Sequence, residues 1–398
     1  MELSYIVIPL ALRYILVFKA HWQHFSGCCY NYNAMKNLVF FFIVLSSCTM
    51  SNNNQIPKYN IVNGFGKGEK LLLSTFYDTI SYCQPDYIDG FFVSARSKIV
   101  STSENLIILD PTLNKIACFN ASGKFLNYIG NIGSGPGEYN SIMDICIDNT
   151  ESILFVFDYV GKQILHYSID GKLINISPCK IQFTKFLFHE NYFITLNPRP
   201  TQCFSNNFAI AKISFNGDII KQFHKRPIES PISKPALFSS LYILNDTICF
   251  WDSYSDTVFF IKDNTVLPKF VFNIGKNKIP SALYDSNTLF YQEYKNYDNI
   301  TGFLETEKYV FVWGHSQVQP KLIVFSKNDK SSKNVFIPGE SRGLINDLDE
   351  GPNFFPNYFN SNKKLVQVLS IDQLNVQSFN KIPVYEFGNP LVVTININ

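Results

Sequence analysis

A phrase that recurs along this chain restricts its fold more than any other feature. Leu106-Ile107-Ile108-Leu109-Asp110, then Lys115-Ile116-Ala117-Cys118-Phe119, then Ser122-Gly123-Lys124-Phe125-Leu126 reads as strand, Asp-led turn, strand, glycine hairpin, strand. Phe155-Val156-Phe157-Asp158, Lys162-Gln163-Ile164-Leu165-His166-Tyr167 and Asp170-Gly171-Lys172-Leu173-Ile174 repeat it, with Asp158 lying 48 positions after Asp110. Looser copies keep the grammar. The third is Ala209-Ile210-Ala211-Lys212-Ile213-Ser214-Phe215 with Asn216-Gly217-Asp218, and the fourth Ile248-Cys249-Phe250-Trp251-Asp252 with Thr257-Val258-Phe259-Phe260-Ile261. Tyr309-Val310-Phe311-Val312-Trp313-Gly314 with Lys321-Leu322-Ile323-Val324-Phe325 gives a fifth, and Lys364-Leu365-Val366-Gln367-Val368-Leu369 with Leu391-Val392-Val393-Thr394-Ile395 a sixth.

A strand-rich unit of this length that repeats cannot bury both of its faces alone, so copies must stack on one another. Residues 97–398 number 302, enough for six or seven four-stranded units of ~40–50 residues, and six copies are visible. No stretch keeps a 3.6-residue apolar period over three turns. The expected fold is therefore all-β: a six-bladed β-propeller of four-stranded antiparallel blades, a closed arrangement that protects sheet edges.

Composition agrees and excludes other classes. With 46% hydrophobic and 16% aromatic residues the chain has ample core and is not disordered. Lys+Arg 34 against Asp+Glu 32 leaves +2, far from the basic footprint of a nucleic-acid binder, so no nucleic-acid partner is expected.

The first 58 residues read as address rather than fold. The apolar run 5–18 is broken by Arg13 and is too short to span a membrane. A second begins at Met35: Lys36, then Leu38-Val39-Phe40-Phe41-Phe42-Ile43-Val44, then Leu45-Ser46-Ser47-Cys48, and then polar Thr49-Met50-Ser51-Asn52-Asn53-Asn54-Gln55. That is the n-region, h-region and small-residue cleavage site of an export signal. Leu-Ser-Ser-Cys resembles the bacterial lipobox, whose cysteine is acylated and becomes the first residue of the mature protein. Residues 1–34 are then an upstream extension that packs against nothing, 35–47 a lipoprotein signal peptide, 48–58 a polar tether and 59–398 the propeller, with Cys48 the lipidation site. Removing 1–47 leaves 31 basic and 31 acidic residues.

Further residues carry a family resemblance. Asn131-Ile132-Gly133-Ser134-Gly135-Pro136-Gly137-Glu138-Tyr139 resembles the Gly-x-Gly-Pro-Gly-Glu-Tyr/Phe linker of the six-bladed β-propeller lipoproteins of Bacteroides and its relatives, which are similar to NHL-repeat propellers. Asn346-Asp347-Leu348-Asp349-Glu350-Gly351-Pro352-Asn353-Phe354-Phe355-Pro356 is similar to that family's Asn-Asp-x-Asp-Gly-Gly…Phe-Trp-Pro stretch, with Glu350 in place of a glycine and Phe355 in place of the Trp. Gly388-Asn389-Pro390-Leu391-Val392-Val393 is similar to its Asn-Pro-Val-Leu terminal strand. The resemblance covers roughly residues 60–398 and implies a fold and an envelope address. It implies no particular chemistry.

Motifs that could carry chemistry are few. Gly339-Glu340-Ser341-Arg342-Gly343 spells a nucleophile elbow, but the last histidine, His315, precedes the serine and no helix pattern follows, so an inter-blade loop is expected. The glycines at 133–137 lack a phosphate-loop Lys-Ser/Thr and a following helix, and Glu138 is expected to bond amides of its own turn. Asp347, Asp349 and Glu350 lack the spacing of a calcium loop and read as an Asx-type turn. Histidines 21 and 24 form the one close pair, inside the leader, and none of Cys83, Cys118, Cys146, Cys179, Cys203 and Cys249 forms a Cys-x-x-Cys pair, so neither zinc nor a redox motif is expected. Export permits disulfides among these six, without fixing a pairing. Several lie in apolar strand patterns, as small buried hydrophobes would.

No catalytic residue, metal or other cofactor is therefore expected. The functional expectation is a lipid-anchored envelope module, in the periplasm or at the outer-membrane surface, that binds or scaffolds a protein, peptide or glycan on the loop face around its channel. The alternatives are a hydrolase or lyase with its site at the channel mouth, and a purely structural envelope protein. Ring closure is expected to pair the C-terminal strand 391–397 with at least one of the segments 56–62 and 70–76.

Overall fold

Strands buried on both faces read as continuous apolar runs, and the second and third strands of each repeat are such runs because they lie between two neighbouring sheets. The computed structural model describes residues 56–61, 68–197, 208–225, 238–252, 255–279, 297–316, 319–335, 343–356, 358–359, 364–370 and 388–396. Cys48 and the leader lie outside them, as do Cys203 and residues 339–342 of the Gly-x-Ser-x-Gly motif.

Six antiparallel sheets follow one another and form a six-bladed β-propeller. Blade one comprises Lys98–Ser101, Asn105–Asp110, Lys115–Asn120 and Phe125–Tyr128. Blade two comprises Ile142–Ile147, Ile153–Asp158, Gln163–Ser168 and Leu173–Pro178. Blade three has Lys185–His189, Tyr192–Leu196, Phe208–Ser214 and Ile219–Lys225, and blade four Ser239–Leu244, Thr247–Asp252, Thr257–Lys262 and Thr265–Asn273. Blade five has Asn299–Glu305, Tyr309–Ser316, Gln319–Ser326 and Ser332–Asn334. The first strands of successive blades approach one another, which makes them the channel side of each sheet.

Blade six closes the ring. It joins Tyr358–Phe359, Lys364–Leu369 and Leu391–Asn396 to an N-terminal strand, Ile80–Cys83, which runs antiparallel to Leu391–Asn396 with Ile80 opposite Ile395 and Cys83 opposite Val392. Closure thus follows the expected principle but uses a different segment. Lys58–Asn60 instead adds a fifth strand to blade four, parallel to Thr265–Asn273. Residues 70–76 form a 3-10 turn at Leu73–Thr75, and Leu73 exchanges its backbone with the loop between blades five and six through Leu73 N–H to Ile345 O, at 2.7 Å.

The buried apolar side chains of the described residues fall into six clusters, one per blade interface. Alternation along a strand divides them: Ile107 and Leu109 face blade two, whereas Leu106 and Ile108 face blade six. The hairpin glycine of the repeat has its own interface role. Gly123 and Gly217 both sit at φ +90°, and a Cβ on them would fall 2.2 Å from Gln84 O and 1.8 Å from Pro178 O, at the end of the preceding blade's outer strand. Gly171 abuts Tyr128 O in the same way. Only glycine permits that conformation and that approach together. Among the described residues no helix is long and apolar enough to cross a membrane.

Candidate functional site

The aspartates that lead the turns of the first two repeats staple one face of the ring. Buried Asp110 accepts the Thr112 and Leu113 amides of its own turn and, at 3.0 Å, the Phe92 amide of the segment entering the blade. Asp158 does the same for blade two, accepting the amides of Asn140 (3.1 Å) and Ser141 (2.9 Å). Asn114 crosses between these turns, accepting from Ile142 N–H at 2.7 Å and donating to Asn140 O at 3.0 Å. Lys115 reaches Gly90 O, and Asn389 donates to Asp86 O while accepting from Val93 N–H. Consecutive loops from blade six to blade two are thereby locked to one another.

Those locked loops display apolar side chains to solvent. Tyr87, Phe92, Leu113, Ile132 and Val160 are each between 42% and 67% exposed. All five come from the inter-blade connections or the turns between second and third strands, which antiparallel order puts on the same face of the ring. Scattered exposed hydrophobics are ordinary; these five sit on contiguous, mutually bonded loops of one face.

Beside this face, the first strands of blades one to three bring Lys98, Asp144 and the Phe186 backbone together. The Lys98 ammonium pairs with Asp144 Oδ1, and Phe186 N–H donates to Asp144 Oδ2 at 2.9 Å. Burial depresses the pKa of Lys185, with Lys98 adding to the effect and Asp144 opposing it. Sequence reasoning missed both groups. The available signal was Asp144, a charge interrupting the apolar strand Ile142-Met143-Asp144-Ile145-Cys146-Ile147.

The residues singled out from sequence have structural employment. Glu138 Oε2 accepts from Gly135 N–H at 2.7 Å, so that carboxylate does serve its own turn. Asp349 Oδ1 accepts from Gly351 N–H at 2.9 Å, the expected Asx-type turn, while Asp347 turns away to hold Ser74. Among the described residues no three His, Cys, Asp or Glu side chains converge as metal ligands would. Gly343, the described end of the Gly-x-Ser-x-Gly motif, has φ +108° in the loop between blades five and six. Cys83, Cys118, Cys146, Cys179 and Cys249 are free, and burial raises the thiol pKa of Cys83, Cys118 and Cys179 to about 11, which leaves them inert at neutral pH.

One Ser–His contact could be mistaken for a dyad. Ser177 Oγ lies 3.0 Å from His166 Nε2, but both are fully buried between blades two and three. Ser177 donates to Phe215 O at 2.7 Å, among the described residues His166 Nδ1 meets no partner, and desolvation holds the imidazole pKa at about 4. A serine without access and a base that weak cannot run acyl transfer at neutral pH. An open depression of about 200 Å³ between residues 74–78 and 306–309 is smaller than the ~300–1,000 Å³ of typical small-molecule sites.

These features define a β-propeller with one loop face stapled rigid and partly apolar. Within that class, the chain belongs to the family described as a domain of unknown function, DUF4934, whose profile matches residues 56–385. A Bacteroides fragilis protein provisionally described as exported has a crystal structure that superposes with a TM-score of 0.66 at 18% identity, over 86% of this chain and 99% of that one. A Bacteroides vulgatus member of the DUF4221 family gives 0.47 at 8% identity, over 81% and 97%. Virginiamycin B lyase from Staphylococcus aureus gives 0.42 at 10% identity, over 80% and 100%. At such identities the first likeness bears on the fold alone. No curated protein matches the chain.

Proposed function

We propose that this propeller is a lipid-anchored envelope module that binds a polypeptide partner across the loop face of blades one and two. The observation that carries the reading is the exposure of Tyr87, Phe92, Leu113, Ile132 and Val160 on one face, on loops whose backbone is already bonded by Asp110, Asn114, Asp158 and Asn389. Preorganised loops lose little conformational entropy on association, so apolar contact there converts efficiently into affinity. Three of the five side chains are aliphatic, which favours a protein or peptide over a glycan, since a sugar face stacks on aromatic rings. The envelope address rests on the signal sequence ending at Cys48 and agrees with the provisional export of the B. fragilis relative.

The test is photo-cross-linking in the native envelope, with benzoylphenylalanine placed at Tyr87, Phe92 or Val160 and, as a control, at Leu126 on the outer strand of blade one. A discrete protein adduct from the three face positions and none from Leu126 is expected. Adducts that are absent, or equal at all four positions, would refute the reading.

A further inference from the structure

The outer strands of blades two and three, Leu173–Pro178 and Ile219–Lys225, pair with a neighbour on one side only. Each carries a β-bulge at the same place. Leu173 and Asn175 lie opposite Tyr167 and His166, which leaves Ile174 as the extra residue, and Ile219 and Lys221 lie opposite Ile213 and Lys212, which leaves Ile220. A bulged residue is released from the ladder, so nothing in the fold asks it to be apolar. Both are isoleucine, 54% and 55% exposed, and each follows a further exposed apolar residue, Leu173 and Ile219. The two strands are continuous along the rim, because Gly217, in the hairpin before Ile219, abuts Pro178 O at the end of Leu173–Pro178. Together they carry Lys221 and Lys225 and no carboxylate.

This rim also lies beside the place where the N-terminal segment joins the ring. Lys58–Asn60 pairs with the outer strand of blade four. Blade three is bonded to that blade through Lys221 Nζ, which donates to Asn264 O at 3.1 Å in the hairpin before the same outer strand. Lys58 follows Cys48 by ten positions, at most ~35 Å of extended chain. A lipid on Cys48 therefore holds this side of the ring close to a bilayer.

We propose that the rim of blades two and three rests on the membrane surface, with Leu173, Ile174, Ile219 and Ile220 entering the headgroup layer and Lys221 meeting anionic phospholipid. Apolar side chains accompanied by lysines and free of carboxylates are what such a surface selects. The inference rests on the anchor at Cys48, and it leaves the loop face of blades one and two to a partner.

The test uses envelopes of cells expressing the full chain with benzoylphenylalanine placed at Ile174, Ile220 or Val160. After irradiation, mass spectrometry of the labelled peptides is expected to find phospholipid adducts at Ile174 and Ile220 in at least fivefold greater yield than at Val160. Lys221→Glu should cut both rim yields at least threefold without moving the denaturation midpoint. Equal yields at the three positions, or discrete protein adducts in place of phospholipid at Ile174 and Ile220, would overturn the proposal. Palmitate labelling of the same chains reads the anchor separately. Lipid on Cys48 without rim adducts keeps the anchor and overturns the rim contact, whereas rim adducts on chains with no lipid at Cys48 support the rim contact and refute the anchor.

Discussion

The phenol of Tyr82 donates a 3.1 Å hydrogen bond to Oδ1 of Asp349, joining residues 267 positions apart in the chain. Burial and the neighbouring carboxylate both raise the phenol's pKa above its ordinary range, so it remains a donor. The same oxygen accepts from Asn346 Nδ2 at 2.6 Å and from Gly351 N–H. Tyr82 lies on the N-terminal strand of blade six and Asp349 in the loop leading into that blade. The acidic stretch that invited a calcium reading is thus a clasp of the ring.

Asp349→Ala should therefore lower stability by about 2–4 kcal/mol, the cost of several bonds to one charged acceptor, and Tyr82→Phe by about 1 kcal/mol. The double variant should cost little more than Asp349→Ala, because the two changes remove a shared bond. Urea unfolding followed by near-ultraviolet circular dichroism checks this; strict additivity would show that Tyr82 and Asp349 are not coupled.

The sequence made the second and third strands of every blade legible, because those strands face a neighbouring blade on each side and read as apolar runs. It concealed the edges. Ile80-Ser81-Tyr82-Cys83 is short and half polar, since an outermost strand needs only one buried face, whereas the more apolar segments 56–62 and 70–76 read as the better closing strands. The recurrent Asp of the turns was visible as Asp110 and Asp158, but its bonds to Phe92 and to Asn140 and Ser141 link segments that no local pattern connects. The channel-side ion pair was hidden for the same reason: Lys98 and Asp144 meet only after two blades have stacked.

A second buried network should be about as costly to break. Glu305, 1% exposed, accepts from Lys269 at 2.8 Å, Lys327 at 2.6 Å and the Tyr242 phenol at 2.6 Å, between blades four and five. Removing the carboxylate leaves two ammonium groups, each about a quarter exposed, without their counter-ion, so Glu305→Ala should lose about 3 kcal/mol. Lys327→Met should lose less, because Glu305 keeps Lys269. Equal denaturation midpoints for the two variants would contradict this ordering.

Acylation at Cys48 is the prediction that decides the address. A labelled palmitate analogue should enter the wild-type chain and not Cys48→Ser, and intact mass should place the mature start at Cys48. A chain that retains residues 35–47 and carries no lipid would refute the anchor.

His166 predicts a pH dependence with a definite sign. Packed against Phe155, Phe193 and Phe215, its imidazole has a pKa of about 4 in the folded chain against an ordinary 6.5. Between those values the unfolded chain binds a proton that the folded chain refuses, so stability falls as pH drops through 6.5 and levels off below 4. The full difference is worth roughly 3 kcal/mol. His166→Phe suits the aromatic surroundings and leaves Ser177 bonded to Phe215 O, so the fold should tolerate it. Measured from pH 7 to pH 5, where most carboxylates stay ionised, the wild-type urea midpoint should decline and that of His166→Phe should stay nearly level. Parallel slopes for the two proteins would show that another group sets the acid sensitivity.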